Sequence, residues 1–462
     1  MSQVADAVVG RPRLAWFCDL EGLQENFGIL RILRDELGLT TLVPESHVCH
    51  TSGFAPSSAV TAASPLDGWR DSPTLPLHRI GFHVPEPAFA VLPGVVSGFD
   101  DTFLRRVIDE SRRLGLEVWG HVGLWCYGGE VFPALAARDL YGQGFREDDL
   151  SWGTGFCPSK PDLHAWIKLA LADVVHRYDL DGMFVDHARY TSPGYGPALL
   201  TCGCPDCEDQ AHRRGYDFDE FRTGLRRLRT SLGRMSSSQL AALATAGPIE
   251  TIAFAAEHRG VLDWFIFRAQ LLADQFADIA EAVRMAAGRP FPFGSDVFPP
   301  SVSLLGGHIY REWARGATFF TGGFGGRIGW STVGEITIDN LATWLQTWVP
   351  DLDGATAAVL IAHLIGYDHA SLREPFSESR PLDARENIPL SLTAEIGRMV
   401  RASGGVPVYP PVAGVLGLSA LKMICESIVE AGLSGAMFSG LDAFGPEQRR
   451  VVRTALAQPL LG

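Results

Sequence analysis

Lysine is scarce in this 462-residue chain, which contains only Lys160, Lys168 and Lys422. None of the three lies at the end of a segment that we predict to be a β-strand. A Schiff-base lysine at the end of a predicted strand is therefore not expected.

Positive charge is in deficit overall, with a formal net charge of -14. Such a chain lacks the counterion release that drives nucleic-acid binding, so nucleic acid and anionic membrane surfaces are not expected partners. The N-terminus lacks a basic segment followed by an apolar core, and no apolar run approaches the ~20 residues of a membrane span. The eight cysteines are scattered except for one cluster, which does not suggest a disulfide framework in so long a chain. We expect a cytoplasmic enzyme with reduced thiols.

No Gly-x-Gly-x-x-Gly turn follows the first predicted strand, which disfavours a doubly wound dinucleotide-binding sheet. Short apolar strands instead alternate with amphipathic helices, a pattern that predicts a parallel sheet with right-handed crossovers. The predicted strands are 14–19, 41–48, 117–125, 182–186, 291–297, 318–322, 406–409 and 435–440. We expect an α/β fold, a single (β/α)8 TIM barrel over residues 1–462. Long loop insertions at about 49–98, 126–160 and 187–260 would cover its carboxyl face.

The fourth predicted strand carries the most chemical information. It ends at Asp186, and His187 and Arg189 follow directly. The carboxyl ends of barrel strands open into the active site, and a carboxylate beside basic groups stays ionised there. Such a carboxylate can attack or stabilise an oxocarbenium-like centre. Asp186 is therefore the expected catalytic carboxylate, with an N-cap or ion-pair role as the structural alternative.

Chemistry at an oxocarbenium-like centre uses a second carboxyl group, and the seventh predicted strand has none. Asp296 closes the fifth strand, next to the fourth, and Glu45 follows the second. Their positions after these strands make the two residues the candidates for the general acid/base, a role that a pKa raised by burial would suit. For Asp296, binding a sugar hydroxyl or capping the following turn is the alternative.

Polar and aromatic residues near other strand ends are candidates for contact with the substrate. They are Asp19, His121, Trp125, His187, Arg189 and Arg327. His121 is equally compatible with a packed core histidine, and Trp125 with a buried aromatic. Arg327 ends the Gly-rich turn 321–327, which would bring it to an anionic group; a turn that needs positive φ is the alternative.

The cysteine cluster is a Cys-x-Cys-x-x-Cys motif formed by Cys202, Cys204 and Cys207. Three thiolates so close together suit a tetrahedral zinc ion, with Cys157 or His212 as the fourth ligand. A thiolate-rich site is closed and poorly Lewis-acidic, so the zinc would be structural. Three free thiols are the alternative, and no organic cofactor is expected.

Residues 156–190 resemble families of (β/α)8-barrel glycoside hydrolases with a signature Cys-Pro-x-x-Pro … Tyr-x-x-Asp-Gly-x-x-x-Asp-x-x-Arg-Tyr. The matching positions are Cys157, Pro158, Pro161, Tyr178, Asp181, Gly182, Asp186, Arg189 and Tyr190. The chain departs at Ser159, where Asn is usual, and at His187, where Tyr is usual. Residues 294–314 resemble the fifth-strand segment Gly-x-Asp-x-Phe-x-Pro and the Gly-Gln-Asp-Tyr that follows it. The resemblance implies a barrel that acts on glycosidic bonds and carries a similar cysteine loop.

We therefore expect a hydrolase or transglycosidase that acts on a carbohydrate or glycoside, with retention favoured over inversion. One alternative is a barrel lyase, aldolase or isomerase acting on a sugar-derived acid, whose metal-dependent form would need a cluster such as His47, His83, His121 and Asp296. Another is a non-catalytic carbohydrate-binding barrel. The sequence specifies neither the sugar nor the oligomeric state, and it is compatible with a homo-oligomer.

Overall fold

Eight parallel strands form one sheet in the computed structural model. The structure describes residues 12–44, 102–125, 133–145, 155–190, 197–322, 338, 340–349, 351–366, 388–412 and 417–456. The strands are β1 (Arg13–Cys18), β2 (Thr41–Pro44), β3 (Glu117–Gly123), β4 (Gly182–Asp186), β5 (Phe293–Val297), β6 (Phe319–Gly322), β7 (Pro411–Val412) and β8 (Gly435–Ser439). Their order in the sheet is β6-β5-β4-β3-β2-β1-β8-β7.

Backbone hydrogen bonds between β6 and the segment before β7 bring the two ends of the sheet together. The Phe320 amide donates to the Pro407 carbonyl over 2.9 Å, and the Tyr409 amide donates to the Phe320 carbonyl over 2.8 Å. The α/β barrel prediction is thus confirmed. The seventh strand was predicted at 406–409 and is regular only at Pro411–Val412. Its three prolines, at positions 407, 410 and 411, offer no N–H to a ladder, which keeps this pairing short.

Alternation along the strands separates the barrel interior from the helix-facing core. The inward set contains Ala15, Val43, Trp119, Phe184, Phe319, Tyr409 and Met437. Gly182 leaves room for the Trp119 side chain inside the barrel, since a Cβ at this position would lie 2.7 Å from Trp119 Nε1. At the amino-terminal end of the strands, the Arg13 guanidinium pairs with Glu117 and lies over the Trp119 ring. The barrel is therefore packed with side chains below its carboxyl mouth.

Helices surround the sheet. Their bounds are Leu20–Glu25, Ile29–Ile32 with a π-turn at Leu33–Leu37, Thr102–Arg113, Pro161–Tyr178, Pro205–Arg213, Phe218–Arg234, Ser237–Ala244, Pro248–Glu257, Arg259–Ala287, Ser303–Gly306, Tyr310–Trp313, Asn340–Trp348, Gly354–Leu364, Ile388–Ser403, Leu418–Glu430 and Pro446–Leu456, with 3-10 turns at Pro197–Leu200 and Leu441–Ala443. Among these described helices, none is both long enough and apolar enough to cross a bilayer.

The insertion after β4 is largely helical. The long helix Arg259–Ala287 packs against Pro161–Tyr178 and Phe218–Arg234. A second hydrophobic cluster joins this insertion to the helices after β6, with Leu232 and Leu240 on one side and Leu345 and Leu360 on the other. The predicted insertion at 49–98 lies outside the described residues.

Candidate active site and thiol cluster

Two aspartates occupy the carboxyl ends of adjacent strands, Asp186 on β4 and Asp296 on β5. The strands pair in register up to Val185 and Ser295, the residues just before the aspartates. One carboxylate oxygen of each aspartate and one ring nitrogen of His187 lie within 4.8 Å of one another. The structure therefore brings together the two carboxyl groups that the sequence favoured.

Asp186 is surrounded by hydrogen-bond donors. Its Oδ2 lies 3.3 Å from His121 Nε2 and 3.4 Å from His187 Nε2, and the His187 backbone N–H donates to Oδ1 over 2.8 Å. Burial raises the pKa of Asp186, but His187, His121 and Arg189 outweigh burial and lower this pKa below its usual range. Asp186 is therefore ionised at neutral pH.

The pKa of Asp296 is displaced in the opposite direction. Arg189 Nη1 donates to Asp296 Oδ2 over 2.8 Å, whereas Oδ1 is buried and makes no hydrogen bond with any described residue. Burial raises the pKa of Asp296 to about 7, although Arg189 and the backbone N–H groups of His187 and Ala188 lower it; the negative charge of Asp186 adds to the rise. A carboxyl with this pKa exchanges its proton near neutrality.

The chain turns sharply after β4. His187 has φ of 54°, in the left-handed region that a non-glycine residue seldom adopts. Burial lowers the pKa of His187 to about 3, against the opposing effect of Asp186, so its imidazole is neutral at pH 7. The strained turn places the His187 amide on one oxygen of Asp186 and its ring on the other.

His121 and Arg189 are held by aromatic neighbours. The His121 ring stacks on Phe184 at a centroid distance of 5.6 Å and meets the edge of Phe17 at 4.8 Å. The Arg189 guanidinium lies 5.0 Å from the centroid of the Phe298 ring. Both side chains are almost completely buried, so they lie behind the carboxylates as seen from solvent.

His308, which the sequence analysis did not single out, joins the loops that follow β4 and β5. The Phe298 amide donates to His308 Nδ1 over 3.1 Å, and His308 Nε2 lies 3.0 Å from the Ala188 carbonyl oxygen. Tyr310 also donates to the Phe298 carbonyl, over 2.7 Å. A buried loop histidine has no periodic signature, so only the family resemblance of residues 294–314 pointed to this segment.

The remaining predicted site residues are not among the hydrogen-bond partners given above for Asp186 and Asp296. Asp19 is exposed, and its Oδ2 accepts from the Gly22 amide at the start of a helix. Trp125 is 1% exposed and packs in the main core, a position that favours a packing role over contact with a ligand. Glu45 and Arg327 lie outside the described residues, as do His47 and His83.

A separate cluster unites four thiols, those of Cys157, Cys202, Cys204 and Cys207, all within 4.8 Å of one another. Cys157 Sγ lies 3.4 Å from Cys204 Sγ and 3.5 Å from Cys207 Sγ, and none of the four forms a disulfide. Zinc–sulfur bonds of about 2.3 Å place tetrahedral sulfurs roughly 3.8 Å apart, which is close to this spacing. The exposed His212 is not in the cluster.

Donors and one buried cation surround the thiols. The Arg138 amide donates to Cys202 Sγ over 3.2 Å, and Ser159 Oγ lies 3.2 Å from Cys207 Sγ. Arg268 is fully buried and bonds the Leu199 carbonyl over 2.7 Å, while its Nε and Nη2 make no hydrogen bond with a described residue. Burial raises the pKa of the Cys157 thiol, whereas these donors and the Arg268 charge would offset negative charge on the sulfurs.

No protein-family model matches this chain, and none of the curated proteins matches it. Among solved structures, it is similar to the PgaB (BpsB) glycoside hydrolase domain from Bordetella bronchiseptica, with a TM-score of 0.55 and 13% identity over 96% of this chain and 98% of that chain. Weaker similarities include the catalytic domain of beta-amylase from Paenibacillus polymyxa, with a TM-score of 0.47 and 12% identity over 97% and 98% of the two chains. A chitinase from Chromobacterium violaceum has a TM-score of 0.43 and 6% identity over 97% and 100%. At such identities, the PgaB similarity shows the barrel fold alone.

Proposed function

We propose that this chain is a glycosidase, either a hydrolase or a transglycosidase, that acts on a carbohydrate substrate through Asp186 and Asp296. One observation carries the proposal: two carboxyl groups at adjacent strand ends have oxygens within 4.8 Å and pKa values displaced in opposite directions. Glycosidases divide their work in this way between an ionised carboxylate and a protonated carboxyl. The glycoside hydrolase description of the PgaB domain agrees with it.

The short separation favours retention. Retaining glycosidases hold their carboxyl groups roughly 5–5.5 Å apart, whereas inverting enzymes need roughly 6.5–9.5 Å to admit a water molecule. Asp186 would bond to the anomeric carbon, or stabilise its positive charge, while Asp296 gives a proton to the departing oxygen. Water would then attack the anomeric carbon, giving a proton back to Asp296 and releasing Asp186.

The hydrogen bonds hold both carboxyls in place. Arg189 donates to Asp296 Oδ2. His121 and the His187 amide fix the orientation of the Asp186 carboxylate from its two sides. These groups pre-organise both carboxyls before a substrate arrives.

The test compares wild type, Asp186→Asn and Asp296→Asn on aryl α- and β-glycosides, uronides included. We expect wild type to release the phenol and Asp186→Asn to lose at least about 10³-fold in kcat/KM. Asp296→Asn should lose far less on phenols of low pKa, because such leaving groups need no acid. NMR of the first-formed sugar would show retention.

A matched control is Asp278→Asn, which removes a carboxylate paired with Lys168 and His164 between two outer helices. This variant should keep wild-type activity. The proposal fails if wild type cleaves no glycoside of the panel, or if Asp186→Asn is no more impaired than this control.

A second candidate function is metal-dependent lyase, aldolase or isomerase chemistry on a sugar-derived acid. It is favoured by the fact that Asp186, His187 and Asp296 could each offer one ligand atom to a single ion. Against it, Arg189 already donates to one oxygen of Asp296, and the His187 amide donates to one oxygen of Asp186. Calorimetric titration with Mn²⁺ distinguishes the two, since only the second candidate requires a 1:1 complex that Asp296→Asn abolishes.

We further propose that Cys157, Cys202, Cys204 and Cys207 hold a structural zinc ion. The sulfur spacing, the burial of all four thiols and the surrounding donors support it. When bound, zinc would cross-link the loop before the helix Pro161–Tyr178 to the loop after β4. Elemental analysis of the purified protein tests this directly, with one zinc per chain expected.

A further inference from the structure

One imidazole connects the two loops that leave the carboxylate-bearing strands. His308 is 1% exposed and lies between Ala188, two residues after Asp186, and Phe298, two residues after Asp296. The β4–β5 ladder ends at Val185 and Ser295, one residue before each aspartate. The His308 bridge therefore joins the segments after β4 and β5 just beyond the point where the two strands stop pairing.

The bridge fixes one state of the ring. The Phe298 amide donates to Nδ1, so this nitrogen carries no proton, and Nε2–H donates to the Ala188 carbonyl. A protonated ring would point an N–H at the Phe298 amide, which is itself a donor. Burial favours the neutral ring by lowering the pKa of His308 to about 3.

The Phe298 end of the bridge is linked to Asp296 by more than the backbone. Tyr310 holds the Phe298 carbonyl, and the Phe298 ring lies against the Arg189 guanidinium that donates to Asp296. A shift of Phe298 would therefore move both Asp296 and its cationic partner. Buried groups held this tightly pass on displacement instead of absorbing it.

We propose that His308 is a positioning residue that sets the separation and orientation of the Asp186 and Asp296 carboxylates. For its effect on turnover, this inference rests on the proposed glycosidase function. Its effect on the carboxylates themselves is independent of any substrate, and the two parts are measured separately.

The variants are His308→Leu, which removes both ring nitrogens, and His308→Gln, whose amide keeps one acceptor and one donor. The control is His258→Leu at another buried histidine, whose ring nitrogens make no hydrogen bond with described residues. Displacing a catalytic group by about 1 Å can lower the rate about 100-fold, so we expect His308→Leu to lose about 100-fold in kcat with little change in KM. His308→Gln should recover most of this loss, and the control should match wild type.

The substrate-free readout is ¹³C NMR titration of γ-labelled aspartate, assigned with Asp186→Asn and Asp296→Asn. Separating the carboxylates weakens the effect of Asp186 on its neighbour, so the pKa of Asp296 should fall in His308→Leu and return in His308→Gln. An unchanged Asp296 titration in His308→Leu would overturn the inference, as would equal impairment of both His308 variants. If His308→Leu does not fold, the imidazole spectrum of wild type and the Asp296 titration of His308→Gln replace it. A wild-type His308 ring that is not in the neutral Nε2–H form would overturn the inference. That form, together with a near-normal Asp296 titration in His308→Gln, would support it. If the titration moves while wild type cleaves no glycoside, positioning stands and the glycosidase proposal falls.

Discussion

The thiol cluster joins segments before and after β4, and the carboxylate pair lies on β4 and β5, yet the two differ in access to solvent. The thiols of Cys157 and Cys207 are 0% exposed, whereas the side chains of Asp186 and Asp296 are 20% and 28% exposed. Four sulfurs that face one another leave no position for a substrate. Two carboxyls at an open mouth leave their outer face for one. The difference teaches that closure, more than residue type, separates a structural polar cluster from a reactive one.

The largest expected effect comes from Asp186→Asn, which should separate the two regions completely. Activity on aryl glycosides should fall at least about 10³-fold, because the charge facing the anomeric centre is lost. Zinc content should stay at the wild-type value, since the thiol cluster does not include Asp186. Loss of zinc from this variant would contradict the separation.

Cys207→Ser should instead affect the thiol cluster, lowering zinc content and stability. Loss of one thiolate from a buried four-sulfur site should lower the free energy of unfolding by more than about 4 kcal/mol, the size expected when a structural metal is lost. Denaturant unfolding with elemental analysis checks this, and chelator-treated wild type should behave alike. Cys425→Ser, at a buried cysteine outside the cluster, is the matched control and should keep the metal.

The pH dependence of kcat/KM tests the protonation state of Asp296 in the carboxylate site. With the pKa of Asp296 at about 7, the acid form is present below pH 7 and is lost as the pH rises. kcat/KM should therefore fall about tenfold per pH unit on the alkaline side. Arg189→Met removes a group that lowers this pKa, so the alkaline limb should move to higher pH by about one unit or more. A limb that stays in place in Arg189→Met would exclude Asp296 as its origin.

The smallest effect is expected at the edge of the thiol cluster. Ser159→Ala removes a hydroxyl 3.2 Å from Cys207 Sγ and should cost about 1 kcal/mol of stability. The urea midpoint should fall with an unchanged slope, while glycosidase activity and zinc content stay constant. A marked loss of zinc would instead place Ser159 among the groups that hold the metal.

The barrel could be predicted from the sequence because alternation and helical periodicity are local signals. β4 was predicted with its observed bounds, and Asp186 followed from its position at the strand end. The third strand ends at Gly123, before the predicted residue 125, because Trp125 adopts a left-handed φ of 61°. A local turn of this kind leaves little trace in a periodic pattern.

The site itself was only partly predictable. Adjacent parallel strands made the proximity of Asp186 and Asp296 foreseeable, but their opposite pKa displacements depend on burial and on Arg189. Cys157 was one of two candidates for the fourth metal ligand, and only the fold brings it to residues some 45 positions later in the chain. The His308 bridge depends on two loop backbones, which no residue pattern encodes.

The seam between β6 and the segment before β7 affects how the barrel can open. Within the described residues it is held by two backbone hydrogen bonds at Phe320, whereas β1 and β8 share five register pairs. Local opening costs least where a ladder is shortest, so the Tyr409 and Phe320 amides should exchange with deuterium well before those of β1. We therefore expect this seam to open before the pairing of β1 with β8 does.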